Sequence, residues 1–221
     1  MSPTPIKRKQ KKYRSPGLPL VCSPDVTGVI LAGGKSSRMG QDKAFLPFLG
    51  APLIERILEV MQPLFSEVII VAPQAPIFQK YLLKTVQDLH PDMGSLGGLY
   101  TGLFYAKTPW IFATACDTPF LSAKLIQALM KKTQDCQVVI PRTSQGLQPL
   151  SAFYHKNCLG PMKALLGKGE LKIIEFFPQV RVQYFEEKEL TSLGLSSQIF
   201  FNINTPQDRQ KAEALAQEGE K

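Results

Sequence analysis

The feature that most constrains this chain is its alternation of short, nearly continuous apolar runs with longer segments that are apolar on one side only. Val26–Ala32 (VTGVILA), Glu67–Ala72 (EVIIVA) and Trp110–Ala115 (WIFATA) are β-branched or apolar at nearly every position, as strands covered on both faces of a parallel sheet are. Between the first two, Leu53–Phe65 places Ile54, Ile57, Leu58, Met61 and Phe65 at three- and four-residue spacing, one face of a helix. The same reading gives a helix around 77–83, a short strand at 85–87, and helices at 96–106 and 125–130. It continues with a strand at 137–140, a segment at 148–154 that pairs back into the sheet, helical stretches at 162–166 and 173–177, and a strand at 180–185. A short apolar Ile199–Ile203 and a terminal helix from about Pro206 close the chain. Strand–helix alternation of this kind predicts an α/β protein, a three-layer α/β/α sandwich with a mostly parallel sheet. The chain has 221 residues, 44% of them apolar, which suits one sizeable domain.

Charge separates a tail from that domain. The formal net charge is +8, yet residues 1–24 hold Lys7, Arg8, Lys9, Lys11, Lys12 and Arg14 and no acid, leaving 20 basic groups against 18 acidic ones in the rest. The expected organisation is therefore a basic flexible tail over 1–24 and a nearly neutral domain over 25–221. A solvated tail competes there with one that touches RNA, an acidic partner or a membrane surface. The Leu18–Cys22 patch is too short and Pro-broken for a secretory signal, and no stretch of about 18 apolar residues is present, so neither export nor a membrane span is expected. Cys22, Cys116, Cys136 and Cys158 show no CxxC spacing, which fits reduced thiols rather than a zinc knuckle or redox pair. A cytoplasmic location is the expectation.

In open parallel sheets ligands sit at the carboxyl ends of strands, and chemistry-bearing residues follow several of the apolar runs. Leu31, Ala32, Gly33, Gly34 and the residues to Lys43 form a glycine-rich loop directly after the first strand. Its backbone N–H groups, with Arg38 and Lys43, can wrap a polyphosphate. It is neither of the familiar phosphate loops: the glycine that a P-loop needs five residues before Gly34 is Val29, and GxGxxG fails as well. Asp117 ends the Trp110–Ala115 strand, stiffened by Thr118-Pro119, and is placed to coordinate a magnesium ion whose remaining positions go to phosphate and water. Against that stands a plain turn or N-cap acid. Asn202 and Asn204 flank Ile203, and strand-like alternation points both amides toward a common ligand, while Asn204 or Thr205 can also cap the helix that starts at Pro206. Asp88, before Gly94-Ser95-Leu96-Gly97-Gly98, can accept from a ribose or a base, or be a loop acid. Cys116 has no histidine near it in sequence and reads as core.

LAGGKSSRMGQDKAFL, then ACDTPFL, then FFNINTPQD, in that order and at similar separations, resemble the molybdenum cofactor guanylyltransferase family from Thr27 to about Asp208. The LAGGxSxRMG portion is shared with a wider set of nucleotidyltransferases, whereas the RMGxDK ending and NINTP discriminate more. The resemblance implies a Rossmann-like nucleotidyltransferase that joins GMP from GTP to the phosphate of molybdenum-molybdopterin, releasing pyrophosphate and forming the guanine dinucleotide cofactor. It implies that Leu31, Ala32 and Gly33 contact the nucleotide through backbone. By the same resemblance Arg38 and Lys43 hold the triphosphate, Asp88 the nucleoside, Asp117 the Mg2+, and Asn202 and Asn204 lie on the molybdopterin side.

The family commonly has Gly-Pro-Leu-Ala-Gly where this chain has Gly94-Ser95-Leu96-Gly97-Gly98, and an Asn where this chain has Ala72. Both departures fall near the base, which leaves guanine selectivity the least constrained point. Within enzymes the alternatives are a cytidylyltransferase for the same cofactor or a sugar- or isoprenoid-phosphate nucleotidyltransferase. From another class, the alternative is a non-catalytic nucleotide-binding chaperone for molybdoenzyme assembly. Transient contact with assembly proteins is expected, and neither specific nucleic acid nor membrane is.

Overall fold

The computed structural model of the protein describes residues 23–33, 43–73 and 75–218. All of the basic tail but residues 23 and 24 lies outside the described residues, and so do residues 34–42 of the glycine-rich loop, Arg38 among them.

Strand β1 (Ser23–Leu31) is followed, after the loop, by a helical turn at Lys43–Phe45 and a hairpin of β2 (Pro47–Phe48) and β3 (Ala51–Pro52), then by α1 (Leu53–Met61). Next come β4 (Phe65–Ala72), a 3-10 helix (Ala75–Tyr81), β5 (Lys84–Gln87), α2 (Gly94–Tyr105), β6 (Trp110–Ala115) and α3 (Ala123–Met130). The second half runs β7 (Val138–Thr143), β8 (Gly146–Leu147), β9 (Ser151–His155), α4 (Leu159–Leu166), a 3-10 helix (Ile173–Gln179), β10 (Val182–Glu186), α5 (Glu187–Ser192) and α6 (Pro206–Glu218).

Among the described residues the main sheet has eight strands in the order β10-β7-β9-β6-β1-β4-β5, with β8 added to β7. The pairs β1–β4, β1–β6, β4–β5 and β7–β10 are parallel, and β9 runs antiparallel to both β6 and β7. The mostly parallel three-layer sandwich read from the sequence is the observed fold. Alternate strand residues feed two cores, as a period of two requires. Val26 and Ile30 of β1 pack with Phe112 of β6 against Ile54, Ile57 and Met61 of α1 and Leu125 and Leu129 of α3. Val29 and Leu31 face the opposite way, onto Leu96, Leu99 and Leu103 of α2 and Met162 of α4. α2 lies so close on β1 that a Cβ built at Gly102 would stand 2.4 Å from Val29 Cγ1, a contact that only glycine allows.

α1 stops at Met61, short of the Phe65 that its periodicity reached, because Pro63 breaks the helical run. Phe65 instead opens β4 and stacks on Phe112 with ring centroids 6.0 Å apart. The β2–β3 hairpin had no counterpart in the periodicity. Its turn residues Leu49 and Gly50 both have positive φ, 48° and 83°, the backbone that a two-residue hairpin of matching twist demands. It carries Phe48 into a third, smaller core with Leu46, Leu53, Ile203 and Ala212, which binds the C-terminal segment and α6 to the front of the sheet.

Candidate active site

β1, β4, β5 and β6 end level with one another: Leu31 is opposite Val71 and Ala115, and Ala72 is opposite Gln87. From β1 the chain winds outward through β4 and β5, then returns to β6 on the other side, the switch in direction that opens a crevice at the strand ends. A cleft of about 430 Å³ lies there, walled by Leu31, Gly33, Ala72, Asp88, Gly98, Asp117, Asn202 and Asn204.

Lys43 and Asp117 meet in this region. Lys43 Nζ stands 3.3 Å from Asp117 Oδ2 and donates to Asn204 Oδ1 at 2.6 Å. Asp117 follows β6, and the next residue, buried Thr118, donates to Ala115 O at 2.9 Å and fixes the turn. The Asp117 carbonyl accepts from Ile203 N at 2.9 Å. Ile203 itself is fully buried against Phe48 and Leu53, so the asparagines on either side of it turn toward the cleft. They do so from an irregular segment rather than a strand. Thr205, not Asn204, caps α6: its hydroxyl accepts from Asp208 N at 3.1 Å, while Asp208 Oδ2 accepts from the N–H groups of Asn204 and Thr205.

Burial pushes the Asp117 carboxyl above its ordinary range, and the Lys43 ammonium beside it offsets only part of that effect. A partly buried carboxylate with one cation nearby attracts further positive charge. Among the described residues no three His, Cys, Asp or Glu side chains converge as a metal cage. Asp117 offers the cleft a single carboxylate, the kind of oxygen donor that a divalent cation takes when phosphate and water complete its shell.

Asp88 forms the opposite wall. Its Oδ1 accepts from His90 N at 3.0 Å and from the Thr101 hydroxyl at 2.8 Å. Of the backbone contacts expected at the end of β1, two groups are already engaged: Leu31 O accepts from Cys116 N, and Ala32 N donates to Val71 O. Leu31 and Gly33 line the cleft, and Ala32 is buried beneath it. Arg38 lies outside the described residues. Cys116 packs into the α1–α3 core.

One stretch of the cleft wall and one buried residue behind Asp88 had escaped the sequence reading. The stretch Gln148-Pro149-Leu150-Ser151 lines it because β9 is antiparallel, which brings the start of that strand, Ser151, beside Thr114 at the end of β6. Apolar periodicity carries no strand direction, so no local signal could have shown this. Thr101 is buried in α2, and its only sequence mark is a hydroxyl inside an apolar helix. Among the described residues no helix is long and apolar enough to cross a membrane.

A family model described as MobA-like NTP transferase domain matches residues 28–182. A protein of Pelotomaculum thermopropionicum named "Probable molybdenum cofactor guanylyltransferase" is 39% identical over 191 residues, covering 86% of this chain and 93% of that one. The molybdenum cofactor guanylyltransferase of Desulfosudis oleivorans is 34% identical over 196 residues, 88% of this chain and 97% of that one. The crystal structure of molybdopterin-guanine dinucleotide biosynthesis protein A from Archaeoglobus fulgidus superposes with a TM-score of 0.77 at 25% identity, covering 87% of this chain and 99% of that one.

Proposed function

The chain belongs to the MobA-like NTP transferase family and is a nucleotidyltransferase, and from that premise we propose that it transfers GMP from GTP to the terminal phosphate of molybdenum-molybdopterin. The α-phosphorus of GTP bonds to an oxygen of that phosphate, the bond to the β-phosphate oxygen breaks, and pyrophosphate leaves with the electron pair. The attacking oxygen is already ionised at neutral pH, so the site needs no protein nucleophile and no strong base.

The observation that carries this reading is the convergence of Lys43, Asp117 and Asn204 at one end of a cleft whose other wall holds Asp88. Lys43 neutralises charge gathering on the phosphates during transfer, the electrostatic contribution that is worth most in a partly desolvated site. Asn204 holds the Lys43 ammonium in place, and Asn202 beside it faces the second substrate. Asp88 accepts from the nucleoside, with Leu31, Ala32 and Gly33 forming the floor beneath it. Arg38, from the same loop as Lys43, joins it on the triphosphate. Asp117 would hold the Mg2+, which when bound screens the triphosphate and orients it for in-line attack. Holding both substrates in one cleft supplies the alignment that this chemistry chiefly requires.

A reducing, cytoplasmic setting goes with this reading, the four cysteines lacking CxxC spacing. The deciding experiment supplies each of the four NTPs with magnesium and molybdenum-molybdopterin and follows pyrophosphate release. Release with GTP alone is the expected result; release with CTP in its place overturns the base assignment, and release with none overturns the reaction.

A further inference from the structure

Asp88 reaches the cleft from a turn that leans on α2. Its Oδ1 takes two donors, His90 N at 3.0 Å and the Thr101 hydroxyl at 2.8 Å, which fill the two lone-pair directions of that oxygen. Among the described residues no donor reaches Oδ2. That oxygen looks across the glycine surface of α2: a Cβ built at Gly98 would stand 3.7 Å from it and 3.4 Å from Leu31 Cδ2, and both Gly98 and Leu31 line the cleft. One carboxylate oxygen is thus spent on the protein and the other is presented to a ligand.

Thr101 makes that division. It is fully buried, and besides Asp88 its hydroxyl meets Leu89 N, which donates to it at 3.0 Å, and the Gly97 carbonyl at 2.9 Å. A hydroxyl has one proton to give, and a charged acceptor holds it more strongly than a carbonyl does. One turn earlier on the same face, Gly97 lets the Asp88–Met93 turn settle onto the helix, since a Cβ there would stand 2.4 Å from His90 O.

The geometry points to Thr101 as a positioning residue for nucleotide recognition: its hydroxyl, with Gly97 beneath the turn, holds Asp88 so that Oδ2 faces a single N–H or O–H donor of the nucleoside. This rests on the nucleoside role proposed for Asp88 above. Threonine is not required here for packing, because valine has the same shape; what valine lacks is the hydroxyl that orients the carboxylate.

The test measures Kd for a fluorescent GTP analogue in magnesium, and KM and kcat for pyrophosphate release, on the full chain. Thr101→Val is expected to raise Kd and KM roughly tenfold, the loss of one hydrogen bond to a charged group, with kcat within about twofold of the parent. Thr101→Ser, which keeps the hydroxyl, is expected to restore both to within about twofold. In an Asp88→Asn background Thr101→Val should add nothing further to Kd, because it acts through that carboxylate.

Unchanged Kd and KM in Thr101→Val, or a loss that adds fully to that of Asp88→Asn, overturns the positioning role. Asp88→Asn that binds the analogue like the parent overturns instead the nucleoside role on which it rests. Should Thr101→Val melt below the assay temperature, Thr101→Ala read by the GTP-induced rise in Tm replaces it. A smaller rise than the parent's is then expected, and an equal rise overturns the inference.

Discussion

Lys43 and Asp117, 74 positions apart in the sequence, stand with Nζ 3.3 Å from Oδ2 at the mouth of the cleft, their side chains 22% and 16% exposed. The pair is largely withdrawn from water yet not sealed off. That is the setting in which a fixed cation and a carboxylate act on a bound phosphate with little screening.

Asp117→Ala is expected to abolish nucleotidyl transfer while leaving the fold intact. Pyrophosphate release read beside a thermal melt checks both halves, and full turnover in magnesium would remove the metal role given to this residue.

The same carboxylate should cost stability in the ligand-free protein. Burial raises its pKa in the folded state despite Lys43. Its contribution is therefore most favourable below the ordinary Asp pKa and is lost as pH rises through the raised folded value. Asp117→Asn should accordingly melt higher than the parent at neutral pH without metal. The gap should close as pH falls below the ordinary carboxylate range. Equal melting temperatures at all pH values would contradict this.

Lys43→Ala should weaken both nucleotide binding and turnover, with kcat/KM for GTP reduced by about 2–4 kcal/mol, as for removal of one electrostatic stabiliser. An unchanged rate would mean that the loop is only a turn.

Asn204 Oδ1 accepts from Lys43 Nζ at 2.6 Å, so Asn204→Ala leaves the ammonium held, among the described residues, by Asp117 alone. A loss of about 1.5–3 kcal/mol in kcat/KM is expected, the range for a hydrogen bond to a charged group. Kinetics on this variant and on Lys43→Ala/Asn204→Ala should show non-additive losses, since both act on one cation.

Gly102→Ala would bring its new Cβ to 2.4 Å from Val29 Cγ1. Overpacking of this kind costs about 1–3 kcal/mol in urea denaturation, and Val29→Ala in the same chain should recover part of it by vacating the space. Independent losses from the two changes would show that α2 and β1 do not meet at this point.

Periodicity located most elements because it is a local property. The six residues Trp110–Ala115 were delimited without error, and α2 and β4 were found within two residues at each end. It failed where a core position is served equally by two structures. Phe65 continues the apolar stripe of α1, yet it faces the same core from β4. The β2–β3 hairpin was missed because Leu49-Gly50 lacks the Asn or Asp that marks such turns.

By itself the sequence determined the fold class and picked out five described pieces of the candidate site, Lys43 in the glycine-rich stretch and Leu31–Gly33, Asp88, Asp117 and Asn202–Asn204. Each of the last four follows a strand or an apolar residue whose direction is set within a few bonds. The tertiary structure alone decided which of these meet. Lys43 touches Asn204 across 161 positions because Ile203 is buried with Phe48 and Leu53. Gln148–Ser151 enters the cleft because β9 runs against β6, and the Asp88 carboxylate is aimed by a threonine one helix away. These are contacts between segments that share no local pattern, chosen by the packing of the whole core.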